Sequence, residues 1–362
     1  MGVSGSGGVI IPGVFGLDRF PDRAHPPPPA HRLALRGWPR HPQAISSPPM
    51  PLICTGTVGI DTVYTPHGHA ERVLGGSCTY FAAAASFHCP VRIVAAVGGD
   101  FDRQYADVFK AFANVDTTGL EQRRSSKTFA WGGRYSADMN SRETLFTELN
   151  VLAEAPPAIP AAYADSEIVF LANSHPGVQI DFLKQLPRRR LTVADTMDLW
   201  IKSARADLDA LLKQIDGLVL NYDEAEMYTG KKNPVTAARL LQKEHDLKFV
   251  IVKKGEHGCL IVHKDGVAAL PAYPAEEVID PTGAGDTFAG GMMGYIASQA
   301  ASGPGGVKVK NVGSFEIIQQ AVAHGTVVAS FNIESFTLTR LQRLKKGELD
   351  ARYKDFAKMV RV

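Results

Sequence analysis

The stretch DPTGAGDTFAGG, residues 280–291, carries more chemical information than any other part of this 362-residue chain. Gly283, Ala284 and Gly285 stand directly before a carboxylate, Asp286. A turn-forming Asp280-Pro281-Thr282 precedes them, and Phe288, Met292, Met293 and Ile296 follow at helical spacing. Small residues let a backbone approach a ligand closely, and unpaired N–H groups at a helix start attract anions. An acid gains nothing from sitting on an anion, so Asp286 needs another task. Beside such a cradle it is placed to take a proton from an attacking hydroxyl. A glycine-rich turn with Asp286 as an ordinary first-turn residue would explain a bare GxGD. The whole twelve-residue string, continued by Gly290, Gly291 and Gly294 for close packing, argues for the chemical reading.

Upstream, short apolar runs alternate with segments of helical spacing. LICTGTVGID (52–61) reads as a strand entering a loop, and VRIVAAVG (91–98), EIVFLAN (167–173), LTVADT (191–196), GLVLN (217–221) and FVIVKKG (249–255) read as further strands. Helical segments at 80–87, 176–186, 203–215 and 234–244 separate them. Continuous apolar strands divided by helices imply a parallel sheet covered on both faces. Three of these runs end in Asn173, Asp195 and Asn221, and ligands gather at the carboxyl ends of such strands. A helix cap or turn explains each polar residue equally simply, and is the preferred reading for Asn173. Residues 127–151 break the pattern: they alternate, are rich in Thr and aromatic residues, and contain Gly132-Gly133. This suits antiparallel strands that leave the main sheet, with Trp131, Tyr135 and Phe146 as an apolar underside.

Bulk properties set the outer bounds. At 45% hydrophobic and 21% charged, the chain can bury the core of one large domain. Residues 1–49 hold ten of the 23 prolines and five arginines against Asp18 and Asp22, a charge of +3. The whole chain is +2, which leaves −1 for residues 50–362 and no broad field for nucleic acid. A segment with the composition of 1–49 cannot pack a core and is expected to be disordered. It reads as a targeting segment, a regulatory tail or sequence ahead of a true start at Met50, the last being favoured. Cys54, Cys78, Cys89 and Cys259 have no CxxC spacing, so a reduced, cytoplasmic setting is expected. No apolar run is long enough to span a membrane.

The 280–291 string resembles the C-terminal signature of the ribokinase-like (PfkB) family of sugar and nucleoside kinases. The resemblance follows motif order over roughly residues 52–340. It implies an α/β fold of three layers, with a mainly parallel central sheet and a small β lid drawn from strands within 62–74 and 127–151. It assigns Asp286 as the catalytic base and the backbone of Gly283, Ala284 and Gly285 as the anion hole. Asp61, which closes GTVGID, and the pair Gly75-Gly76 in LGGSCTYFAAA would hold the acceptor, with Ser77 as a helper. The asparagine usual a few residues after the paired glycines is absent here, which leaves the sugar identity, ribose included, open. NYDEAE (221–226) matches an N-x-x-E pattern, which places Asn221 near nucleotide phosphates and Glu224 near magnesium. A capping box formed by the same two residues is compatible with that role. Lys254 and Gly255, in KKGEHGCLIV, would line the nucleotide, and the loop and helix of 307–336, with Ala321, Ala323 and Ala329, would embrace adenine.

The expectation is an ATP- and Mg2+-dependent phosphotransferase acting on a hydroxymethyl group of a sugar or sugar-like alcohol. A nucleoside kinase is the nearest alternative, and a non-catalytic ligand sensor on the same fold is the alternative from another class. The expected partner is a small-molecule sugar or nucleoside, with a homodimer through the lid strands.

Overall fold

The computed structural model describes residues 52–301, 309 and 311–361. The expectations for residues 1–49, for Met50 as a start, and for part of the 307–310 loop lie outside the described residues. The chain forms strands β1 (Leu52–Thr55), β2 (Gly59–Thr65), β3 (Gly68–Gly75), β4 (Val91–Gly98), β5 (Val115–Arg123), β6 (Phe129–Tyr135) and β7 (Arg142–Glu148). After these come β8 (Ile168–Leu171), β9 (Leu191–Asp195), β10 (Gly217–Asn221), β11 (Phe249–Lys253), β12 (Cys259–His263) and β13 (Gly266–Leu270).

Nine strands make the central sheet in the order β13-β12-β11-β10-β9-β8-β1-β4-β5. All neighbours from β11 to β5 are parallel, while β12 and β13 pair antiparallel at one edge. Strands β8 to β10 are almost wholly buried, which is why their apolar runs are unbroken. From β1 the chain builds outward through β4 and β5 on one side and, later, through β8 to β11 on the other. The strand order therefore reverses between β1 and β8, the place where an open parallel sheet leaves a crevice at its carboxyl ends.

Alternate residues of each strand feed two cores. Leu52, Cys54, Ile93, Phe170, Val219 and Ile251 pack with the helices Ser77–Ala85, Ala284–Ala301 and Phe315–Asn332. Ile53, Val94, Val169, Leu220 and Val252 pack with Pro176–Lys184, Arg205–Leu212 and Pro234–His245. These are the three layers that the resemblance implied. A second sheet of four strands, β3-β2-β6-β7, forms the lid. Its middle pair, β2 and β6, is parallel, and the outer pairs are antiparallel. The segment read as one strand entering a loop is thus two elements, with β1 in the core sheet and β2 already in the lid.

Two strands escaped the sequence reading. Strand β5 is an edge strand with a mostly exposed, polar sequence, so no apolar run marks it. Strand β13 alternates half-exposed and exposed residues before its buried Leu270, and its five residues are too short to stand out.

The three helices of the first core approach closely through small residues. A Cβ added to Gly290 would lie 2.2 Å from the carbonyl oxygen of Phe81. Alanine is the better helix former by about 0.5–1 kcal/mol, but overpacking against a fixed backbone costs about 1–3 kcal/mol. Gly290→Ala should therefore lower the urea midpoint. Gly347, exposed in the helix Lys346–Met359, has nothing within 4 Å of an added Cβ. Gly347→Ala should raise the midpoint, and equal behaviour of the two variants would disprove the packing argument.

Candidate active site

The crevice at the β1–β8 reversal opens into a cavity of about 870 Å³ beneath the lid. Its floor comes from Thr55, Gly56, Asn173 and Asn221 at the strand ends, and its roof from Phe129, Trp131, Arg142 and Thr144 of the lid. Asp61, Gly76, Ser77, Glu224, Gly283 and Asp286 all line this one space. Residues separated by more than two hundred positions in sequence are thereby brought together.

One side of the cavity is built around Asp61, which is almost fully buried. Its Oδ2 accepts the N–H of Gly76 at 3.3 Å. A Cβ at Gly75 would lie 1.9 Å from that same oxygen, so glycine at 75 is the condition for Asp61 to sit here. Gly76 adopts φ +93 as the N-cap of the helix Ser77–Ala85. Burial, together with the charges of Asp286 and Asp280, pushes the Asp61 carboxyl up to about 7 against the Gly76 hydrogen bond. At neutral pH it can thus present either a donor or an acceptor to a hydroxyl.

Ser77 lines the cavity and also ties two loops together. Its N–H donates to Thr57 Oγ1 at 2.9 Å, and its Oγ accepts the Thr57 N–H at 3.1 Å. This reciprocal clasp fixes the loop after β1 to the helix start.

The DPTG turn is held from several sides. Asp280, fully buried, accepts the N–H groups of Thr282 and Thr337, each at 2.9 Å. Asn332 Nδ2 donates to the Thr282 carbonyl at 2.8 Å. Gly283 has φ +71, and an added Cβ would meet the Tyr80 ring at 2.3 Å, so both conformation and space demand glycine. Within the expected anion hole, the Ala284 N–H donates to the Pro281 carbonyl at 3.1 Å. Gly285 belongs to the first turn of the helix Ala284–Ala301, where N–H groups have no intrahelical acceptor.

Asp286 is half-buried in that first turn. Burial lifts its carboxyl from 3.8 to about 6, while the cations Lys253 and Arg142 pull in the opposite direction. Asp195, at the end of β9, is pushed up by burial and next by the charge of Asp286, and its Oδ1 has no partner among the described residues. Glu224 is also raised by burial and lowered by Lys253. It closes a capping box with Asn221: the Asn221 N–H donates to Oε2 at 2.7 Å, and the Glu224 N–H donates to Asn221 Oδ1 at 2.8 Å. The second carboxylate oxygen of Glu224 is not part of that box.

Sequence reasoning pointed to Lys254 and Gly255, which lie in the β11–β12 turn. The Lys254 N–H donates to the Gly258 carbonyl at 2.7 Å, and Gly255 has φ +54. The lysine that reaches the glycine loop is Lys253, whose Nζ would be 2.7 Å from a Cβ on Gly285. The signal was present in the strand period. Phe249 and Ile251 face the core shared with the Ala284–Ala301 helix, and Lys253 continues that parity. Arg142 was missed for a plainer reason, since nothing local distinguishes it from other charges in the lid. Of the alanines read as a seat for adenine, Ala321 and Ala323 are fully buried in the helix layer, and Ala329 is half-buried. Among the described residues no three acidic, His or Cys side chains form a metal cage.

Residues 61–340 match the model of the pfkB family of carbohydrate kinases, and the chain belongs to that family. It is 30% identical over 254 residues to the cytidine kinase of Thermococcus kodakarensis, covering 67% of this chain and 88% of that one. A stretch of 52 residues, 14% of each protein, is 52% identical to the inositol 3-kinase of Arabidopsis thaliana. The fold is similar to the crystal structure of the nucleoside kinase of Methanocaldococcus jannaschii, a member of the ribokinase family. That likeness has a TM-score of 0.66 at 20% identity and covers 85% of this chain and 99% of the other.

The elevated Asp286 carboxyl has a consequence for stability. Above about pH 6 the folded protein holds this group charged at a cost, whereas the unfolded chain ionises it freely near 3.8. Asp286→Asn should therefore raise the melting temperature at pH 7.5. The gain should shrink as pH falls through 6 and vanish below about pH 4, where both states hold a neutral carboxyl. A variant that melts lower than the parent at pH 7.5 would show that the carboxylate is a structural cap.

Proposed function

We propose that the protein transfers the γ-phosphoryl group of ATP to a hydroxymethyl group of a sugar or nucleoside, with Asp286 as general base. The observation that carries this reading is the shared cavity. A carboxylate poised near pH 6 begins a helix on one wall, and a buried second carboxylate, Asp61, faces the same space. Asp61 holds hydroxyls of the acceptor and orients the reacting one toward Asp286, which accepts its proton. The first-turn amides around Gly283 and Gly285, with Lys253 beside them, receive the charge of the transferring group. The cradle fits a phosphate, because Gly285 leaves open the space in which a Cβ would crowd the Lys253 ammonium. The Glu224 oxygen outside the capping box would hold a hydrated magnesium ion, with Asn221 near the nucleotide phosphates, which suits an ion that keeps several waters. Bound magnesium would supply charge neutralisation on the phosphates.

A base-bearing acceptor is favoured by one feature. Part of the cavity lining is apolar and aromatic, with Trp131, Leu149, Met197, Leu199 and Trp200, a surface larger than a lone sugar ring needs. The similarity to a cytidine kinase supports the same choice. Exposed Leu145 and Phe146 on the edge strand β7 support a homodimer through the lid, which a monomer in sedimentation velocity would remove. Four buried free thiols support a reducing, cytoplasmic setting, and a fractionation that finds the protein elsewhere would contradict it.

The direct test is ATP-dependent phosphorylation of cytidine, inosine, ribose, fructose and myo-inositol. At least one should be a substrate, and Asp286→Asn should lower its turnover on the order of 10²–10⁴-fold. No transfer to any acceptor would return the chain to the sensor reading, and a variant with near-normal turnover would refute the base. Glu224→Gln keeps an amide oxygen for the Asn221 N–H, so its stability should stay close to the parent. Its half-saturating magnesium concentration should rise, and an unchanged requirement would confine Glu224 to capping.

A further inference from the structure

Strands β6 and β7 place Tyr135 directly opposite Arg142 at one end of the lid hairpin. The Tyr135 hydroxyl accepts a hydrogen bond from Thr282 Oγ1 at 3.2 Å, so this end of the lid is tied to the turn that precedes Asp286. Opposite residues of an antiparallel pair share a face; from that face Arg142 lines the cavity, while Tyr135 reaches the turn. Its guanidinium carbon lies 5.3 Å from the centre of the Trp131 ring, another roof residue. Among the described residues that line the cavity, Arg142 is the one lysine or arginine. Its charge reaches both Asp286 and Asp61, yet neither forms an ion pair with it. A guanidinium that shares a cavity with two carboxylates and pairs with neither is available to meet an anion that enters there.

We propose that Arg142 is a further catalytic residue, supplied by the lid, that contacts the phosphoryl group in flight from the side opposite the Gly283–Gly285 backbone and Lys253. The proposal rests on the phosphotransfer reading above. In that step a bond forms between the acceptor oxygen and the γ-phosphorus. The bond from that phosphorus to the β–γ bridging oxygen breaks, its electron pair leaves on ADP, and the acceptor proton passes to Asp286. Arg142 makes and breaks no covalent bond. It neutralises charge on the transferring oxygens, a task the floor of the site performs from one side only. Because Tyr135 ties the hairpin to Thr282, this charge arrives in register with the base.

The test uses the full chain with ATP, magnesium and whichever of cytidine, inosine, ribose, fructose or myo-inositol is phosphorylated fastest. Arg142→Met should reduce kcat on the order of 10²–10³-fold, with KM for the acceptor changed by less than about threefold. Arg142→Lys retains the charge without the fork and should recover at least about tenfold of that loss. Melting temperatures of both variants should match the parent, since the side chain is exposed in the lid. A raised KM with unchanged kcat would make Arg142 an acceptor anchor and overturn the proposal, as would unchanged kinetics. Equal losses in both variants with a lowered melting temperature would overturn it in favour of a structural lid residue. If the parent is active and Asp286→Asn is not, these results bear on Arg142 alone. If the parent transfers phosphate to nothing, it is the phosphotransfer reading that fails.

Discussion

A half-buried carboxylate answered by two cations, Lys253 and Arg142, is the interaction on which the rest of this site depends. Asp286 is held at the start of a helix, where burial raises its carboxyl to about 6 and Lys253 limits the rise. Asp61, Asp195 and Glu224 stand in the same low-dielectric region, each pushed up by burial. Four carboxylates against Lys253 and Arg142 make a site that is costly to fold and short of positive charge. Such an arrangement is stabilised when cations and a charge-matched ligand enter, which ties binding energy to assembly of the reacting groups. The sacrifice of stability at a functional centre is a general trade.

The architecture makes that concentration of charge attainable. Reversal of strand order between β1 and β8 opens a crevice without disturbing any ladder. Glycines then bring backbone to the places where side chains would collide, at Gly75 against Asp61 and at Gly283 against Tyr80. The turn before Asp286 is pinned by Asp280 and Asn332 from the core and touched by Tyr135 from the lid. The turn, the core beneath it and the roof are consequently parts of one hydrogen-bonded frame, so the lid can report its position to the turn before Asp286.

Much of this was legible in sequence wherever chemistry is local. The 280–291 string announced Asp286 and its glycines because backbone approach and helix start are both encoded within a few residues. Apolar runs announced the buried strands, two of them, β4 and β10, to the residue. The Asn221–Glu224 capping box was visible for the same reason of short range. What stayed hidden depends on neighbours distant in the chain. Lys253 and Lys254 are equivalent until strand parity and the Gly285 contact separate them. Arg142 acquires meaning only when the hairpin folds over the cavity. Ser77, expected as a helper in acceptor binding, does line the cavity, but its clasp with Thr57 appears only once the two loops meet. Edge strand β5, polar and exposed, lacked the apolar run that marks a buried strand.

The most direct measurement of the central claim is the pH dependence of kcat/KM for the acceptor, taken with magnesium in excess from about pH 5 to 8. This ratio reports the ionisation of the essential base before the acceptor binds. A desolvated Asp286 predicts a rate that falls tenfold per pH unit on the acid side, with the bend near 6. A rate that stays level down to about pH 5 would mean that an ordinary solvated carboxylate, or no carboxylate at all, accepts the proton, and would contradict the account.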